Sequence, residues 1–174
     1  MIMKKVLVAL VAVVLVSCGG ASGEASVKSE KTLVDGFQRM QASFSKTFDE
    51  QGSKEALNAN ADSLVTYFDA LAKNYPENSS LSKMCFVLGE VSMKVNKGKD
   101  AVKYFDALEI IYPEDENVSK ALYLKAHTFE DMLKDTVQAI AAYKHLYKTY
   151  PESKWSQNAK NQVLRLNNPN AVND

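Results

Sequence analysis

One phrase recurs three times in this chain. Tyr67-Phe68-Asp69-Ala70-Leu71 runs on to Tyr75-Pro76-Glu77. Tyr104-Phe105-Asp106-Ala107-Leu108 runs on to Tyr112-Pro113-Glu114, and Tyr143-Lys144-His145-Leu146 runs on to Tyr150-Pro151-Glu152. The Tyr-Pro pairs lie 37 and 38 residues apart. Self-similarity at this period points to an array of helical repeats, because one unit cannot bury its apolar face alone and must stack on copies of itself. Within the phrases, Phe68 and Tyr75, Phe105 and Tyr112, and Tyr143 and Tyr150 are each seven residues apart. Seven residues is close to two helical turns, so both rings share one face. Proline cannot continue the helix, and it biases the tyrosine before it toward extended backbone.

The periodicity predicts an all-α chain with helices over 31–50, 54–74, 80–96, 99–111, 117–133, 135–149 and 154–166. Asn96-Lys97-Gly98 and Lys134-Asp135-Thr136 are turns short enough to force antiparallel pairs. Met84, Phe86, Leu88 and Gly89 align with Ala121, Tyr123, Lys125 and Ala126 at an offset of 37. A glycine inside a helix costs up to about 1 kcal/mol against alanine. Gly89 therefore marks a close approach of a neighbouring helix, as do Ala126, Ala101 and Ala139. Phe68, Phe105 and Tyr143 read as core. Trp155, Ala159, Val163, Leu164 and Leu166 close the array through a final helix. Its Ser156, Gln157, Asn158, Lys160 and Asn161 are expected to face water. Residues 168–174 read as a disordered tail.

Leu88-Gly89, Ala101, Phe105 and Pro113 resemble the small-and-large signature of tetratricopeptide repeats, over roughly residues 54–166. The resemblance implies a right-handed superhelix of antiparallel helix pairs, with about seven helices over 31–167. The longer period and the Tyr-Pro-Glu endings resemble periplasmic bacterial members. These include the repeat lipoprotein of the outer-membrane β-barrel assembly machine and the tetratricopeptide protein of the Tol-Pal system, the latter especially through Phe86-Val87-Leu88-Gly89-Glu90. The chain departs from the pattern in residues 31–50, which lack the Gly/Ala signature, and it lacks the five repeats of the assembly subunit.

The amino terminus carries an address. Lys4-Lys5 precede eleven apolar residues, Val6 to Val16. That run is about half the ~20 residues a spanning helix needs, so it reads as a signal-peptide core over residues 1–17. Leu15-Val16-Ser17-Cys18 resembles the bacterial lipobox, which implies cleavage before Cys18 and acylation of its thiol; the plain alternative is a signal peptide ending in a chance cysteine. Residues 19–30, opening with Gly19-Gly20-Ala21-Ser22-Gly23, read as a flexible tether. No aspartate follows Cys18, which resembles a lipoprotein sorted to the outer membrane. The expected location is the cell envelope, on the periplasmic face of that membrane.

With 21 basic and 21 acidic residues, the formal charge is zero and no basic field favours nucleic acid. Lipidation of Cys18 would leave Cys85, between Met84 and Phe86, as a small buried hydrophobe. No phosphate loop, Cys-x-x-Cys or nucleophile elbow occurs. His127 with Glu130 or Asp131 has metal-ligand spacing but no evident third ligand, so no metal, cofactor or enzymatic activity is expected. Glu114-Asp115-Glu116 suits a helix start.

Repeat arrays work through the face lined by the first helix of each pair. The family resemblance assigns that groove Lys83, Phe86, Glu90, Met93 and Lys94, then Lys120, Tyr123, His127, Glu130 and Asp131, then Asn158, Asn161 and Arg165. One aromatic per unit for anchoring and charges for register suit a peptide or partner helix. The alternative for Phe86 and Tyr123 is burial between helices. The expected function is a lipid-anchored scaffold that binds another envelope protein or peptide segment. The second reading is a periplasmic receptor for a small ligand or glycan, which would need exposed aromatics around a pocket.

Overall fold

The computed structural model describes residues 27–168. The signal peptide, Cys18 and most of the tether, together with residues 169–174, lie outside the described residues. The order is α1 (Glu30–Asp49), α2 (Lys54–Asn74), α3 (Ser80–Lys94), α4 (Gly98–Ile111), α5 (Val118–His127), a π turn (Thr128–Met132), α6 (Thr136–Thr149) and α7 (Lys154–Asn167). Three antiparallel pairs and a final helix form a tetratricopeptide-like all-α stack.

The three Tyr-Pro-Glu loops are built alike. Tyr75, Tyr112 and Tyr150 leave the helical region with ψ of 63, 56 and 60°. They stop short of the fully extended backbone expected before proline. Their carbonyls accept from the N–H of Asn78, Asp115 and Ser153 at 3.0, 3.0 and 3.1 Å. Each of those residues then accepts with its side chain from the backbone N–H two positions on, at Ser80, Asn117 and Trp155, over 2.7, 2.8 and 3.2 Å. The residue after Tyr-Pro-Glu thus satisfies an orphan donor of the next helix. Asn168, just before Pro169, has the same backbone, with ψ 69°. Ser29 and Ser53 cap α1 and α2.

The turns inside pairs use a left-handed residue after the first helix: Gln51 (φ 54°), Asn96 (φ 60°) and Lys134 (φ 56°). The chain then folds back onto the helix end, with Gly52 donating to Thr47 O and Lys97 to Ser92 O, both at 2.8 Å. The third turn differs. Asp135 reaches Phe129 O, also at 2.8 Å and one residue further along. The cause is the π turn, which interrupts the single helix expected over 117–133. It absorbs one extra residue between Ala126 and Lys134, and this is why the second spacing is 38 rather than 37.

Two core clusters run through the stack, one around Leu33, Phe37, Phe44, Leu64 and Leu88, the other around Phe105, Leu108, Leu122 and Tyr143. Phe68 packs against both. Ala101, Ala126 and Ala139 are fully buried. A Cβ on Gly89 would lie 2.2 Å from the Phe105 ring, so the close approach read from the sequence is real. Three expectations fail. The first pair does carry the small residue: a Cβ on Gly36 would lie 2.2 Å from the Tyr67 ring. Ser156 does not face water; it is 2% exposed, in the slot that Val118 fills one unit earlier. Leu164 does not close the array; it is 62% exposed. It occupies the position of Gly89 and Ala126, and α7 is followed by no second helix among the described residues.

Candidate functional groove

The first helices α3, α5 and α7 are tied side by side by their own polar residues. Lys120 on α5 donates to Glu90 on α3 at 2.9 Å, and its ammonium also sits 4.7 Å from the Phe86 ring centroid. Arg165 on α7 pairs with Glu130 in the π turn. The other oxygen of Glu130 accepts from the Tyr143 hydroxyl at 3.1 Å. Burial, and then the Glu130 charge, push that phenol far above its ordinary pKa, so it stays a donor. His127 and Asp131 pair within the third unit at 3.0 Å. The structure therefore gathers Phe86, Glu90, Lys120, Glu130 and Arg165 as a ladder of contacts across successive first helices, while His127 and Asp131 meet only each other.

The aromatic residues lie deeper than the groove assignment expected. Phe86 is 7% exposed, tilted against Phe105 and covered by Lys120; its ring belongs to the core. Tyr123 is half-buried between Tyr143 and Trp155, at centroid distances of 5.5 and 5.1 Å. Met93 is half-buried against the core. Lys83, Lys94, Asn158 and Asn161 are exposed, and Asn161 accepts from Gln157 at 3.1 Å. Lys94 caps the ring of Phe48, 4.7 Å away, which stacks on Phe44. Phe48 belongs to this surface and escaped the sequence reading, because its unit does not align at the repeat period. Lys83 and Lys94 form no ion pair among the described residues.

A second polar cluster fills the cleft between α4, α5 and α6. Lys125 lies 2.5 Å from Asp106 and 3.9 Å from Glu109, and His145 pairs with Glu109. Its signal was present in the alignment: Lys125 stands where the preceding unit has Leu88. Cys85 is 1% exposed, and burial, then the Asp115 charge, push its thiol up to about 12, so it is an inert packing group. No group of three or more metal-ligand side chains occurs among the described residues, and no described helix is long and apolar enough to cross a membrane.

No curated protein matches the chain. A family model described as outer membrane lipoprotein, YfiO, matches residues 41–174, well over half of it. The match runs from the middle of α1 through every Tyr-Pro-Glu loop and all three helices of the charged ladder. The chain belongs to the YfiO family of outer membrane lipoproteins, and its place is the cell envelope.

Proposed function

We propose that this protein is a non-enzymatic scaffold that holds another envelope protein, or an extended or helical segment of one, on the face shared by α3, α5 and α7. The reading is supported above all by the ladder Glu90–Lys120 and Glu130–Arg165. These pairs fix neighbouring first helices to one another and leave Lys83 and Lys94 without an ion-pair partner among the described residues, Lys94 over the Phe48 ring. Such a surface is preorganised, so a partner need not order it on binding. Covered aromatic faces favour a protein partner over a glycan, which stacks on open rings. Cys18 would carry the lipid that fixes the scaffold to the membrane, with no other cofactor and no nucleic-acid role.

A photo-crosslinking residue placed at Lys94 or Lys83 in intact envelopes is expected to capture one defined protein. The same residue at Lys144 on α6 is expected to capture none. Equal capture at Lys144, or none at Lys94 and Lys83, would sink the groove assignment. A Cys18→Ala chain exported behind an ordinary cleavable signal peptide is expected to fold normally and to leave the membrane fraction; continued membrane association would end the anchor assignment.

A further inference from the structure

At the amino-terminal end of the stack, the segment entering α1 lies beside α2. Between them runs an open trough of about 510 Å³, floored by Leu33 and Tyr67 and edged by Val27, Lys28 and Lys73. The lining residues Ser63, Thr66 and Asn74 donate their side-chain protons to carbonyls of α2 itself. The cationic donors of the trough are two ammonium groups, beside the Tyr67 hydroxyl. Its lining contains no carboxylate. Neither lysine has an ion-pair partner among the described residues. The Lys28 ammonium is held 5.5 Å from the Tyr67 ring centroid, while its carbonyl accepts from the Tyr75 hydroxyl at 3.2 Å.

The position of this trough limits what can reach it. Its rim includes Val27, nine residues after Cys18. However those residues are arranged, nine residues span at most about 30 Å. A lipid on Cys18, the anchor proposed above, keeps the trough that close to the membrane surface. We infer that the trough is a docking site for the phosphate headgroup of an anionic membrane lipid, held between Lys28 and Lys73 with its glycerol end against Val27 and Leu33. The site orients the domain, since it brings the amino-terminal end of the stack onto the bilayer. It rests on the lipid-anchor reading.

The test uses the full processed chain in phosphatidylcholine vesicles, with and without phosphatidylglycerol as about a third of the lipid. Amine acetylation is followed at each lysine by mass spectrometry. One lysine near an anionic surface contributes roughly a factor of five in affinity. Lys28 and Lys73 are therefore expected to react roughly fivefold more slowly on the anionic vesicles, with Lys144 unchanged, and Lys73→Gln is expected to restore the rate at Lys28. Equal rates on both vesicles, uniform slowing that includes Lys144, or a Lys28 still protected in the Lys73→Gln chain would each overturn the site. The same slowing with inorganic phosphate and no vesicles would overturn the lipid source. Flotation separates the two readings. A chain that floats with neutral vesicles but shows no slowing fails only here. A chain that does not float fails as an anchored protein, and this inference falls with it.

Discussion

The cleft among α2, α3 and α4 and the cleft among α4, α5 and α6 are the same place in successive units, filled with opposite chemistry. In the first, Leu88 is 1% exposed, and Ala72 and Ala107 occupy the flanking positions. In the second, the same positions hold Lys125, Glu109 and His145, joined by Asp106. The backbone geometry of the repeat does not demand an apolar plug; it demands that whatever enters be complete. A lysine works in the second cleft because two carboxylates accept it and because its side chain retains 17% exposure. Pairing of partly solvated groups adds little net stability, yet removing one member leaves the others desolvated and unpaired.

The comparison breaks most visibly through Leu88→Lys. Asp69, the counterpart of Asp106, is the one carboxylate there, and Ala72 and Ala107 supply neither a second carboxylate nor an imidazole, so the variant is expected to lose about 3 kcal/mol by denaturant titration. A loss below about 1 kcal/mol would mean that the first cleft opens to water as readily as the second. Next in size, Lys125→Ala is expected to cost about 1–3 kcal/mol, because it takes the cation from between Asp106 and Glu109 and leaves Glu109 only His145. The combined change Lys125→Leu, Glu109→Ala, His145→Ala imports the residues of the first cleft and is expected to recover to within about 1 kcal/mol of the parent. If the combined variant is as weak as the single one, the two clefts are not equivalent.

Two smaller effects sharpen the picture at the loop that joins the units. Burial works against the charge of Asp115, but the Asn117 backbone, Ser82 and the Asn117 side chain together hold its pKa below the ordinary value. A depressed carboxylate stabilises the fold at neutral pH, and that contribution fades as the pH falls below the unfolded value of about 3.9. Asp115→Ala is expected to cost about 1 kcal/mol at pH 7, with the gap in Tm to the parent narrowing near pH 3. A gap that is constant with pH would deny the charge its role. Least of all, Cys85 is expected to resist thiol reagents at pH 8 in the folded protein and to react only as fast as the chain unfolds. Rapid native labelling would show that α3 opens locally.

Much of this was legible because the repeat aligns with itself. The helix pairs, the Gly89–Phe105 approach and the proline stops follow from residue type at a fixed offset. Gly36 was missed because the first pair is longer. Gly36 to Tyr67 spans 31 residues, whereas Gly89 to Phe105 spans 16, roughly two extra turns on each helix. No alignment at the repeat period finds it. Ser156 was misread because its slot, filled by Val118 one unit earlier, lies against the preceding unit whatever residue enters it, and Leu164 because no second helix follows α7 among the described residues. The groove charges were legible one at a time. Their pairing was not, since Glu90–Lys120 and Glu130–Arg165 join residues 30 and 35 apart on separate helices. Phe86 illustrates the limit: helical spacing gives it a face, but only the placement of Phe105 and Lys120 shows that the face is covered.

The π turn at Thr128–Met132 carries a lesson about heredity as much as about geometry. A stacked protein is commonly thought to change length only in its loops, where nothing downstream depends on the count. Here a residue has been taken up inside a helix, and the pairing of α6 and α7 beyond it keeps its register. Units of 37 and 38 are therefore interchangeable parts, and the lineage of such arrays can drift by single codons without re-cutting the joints between them.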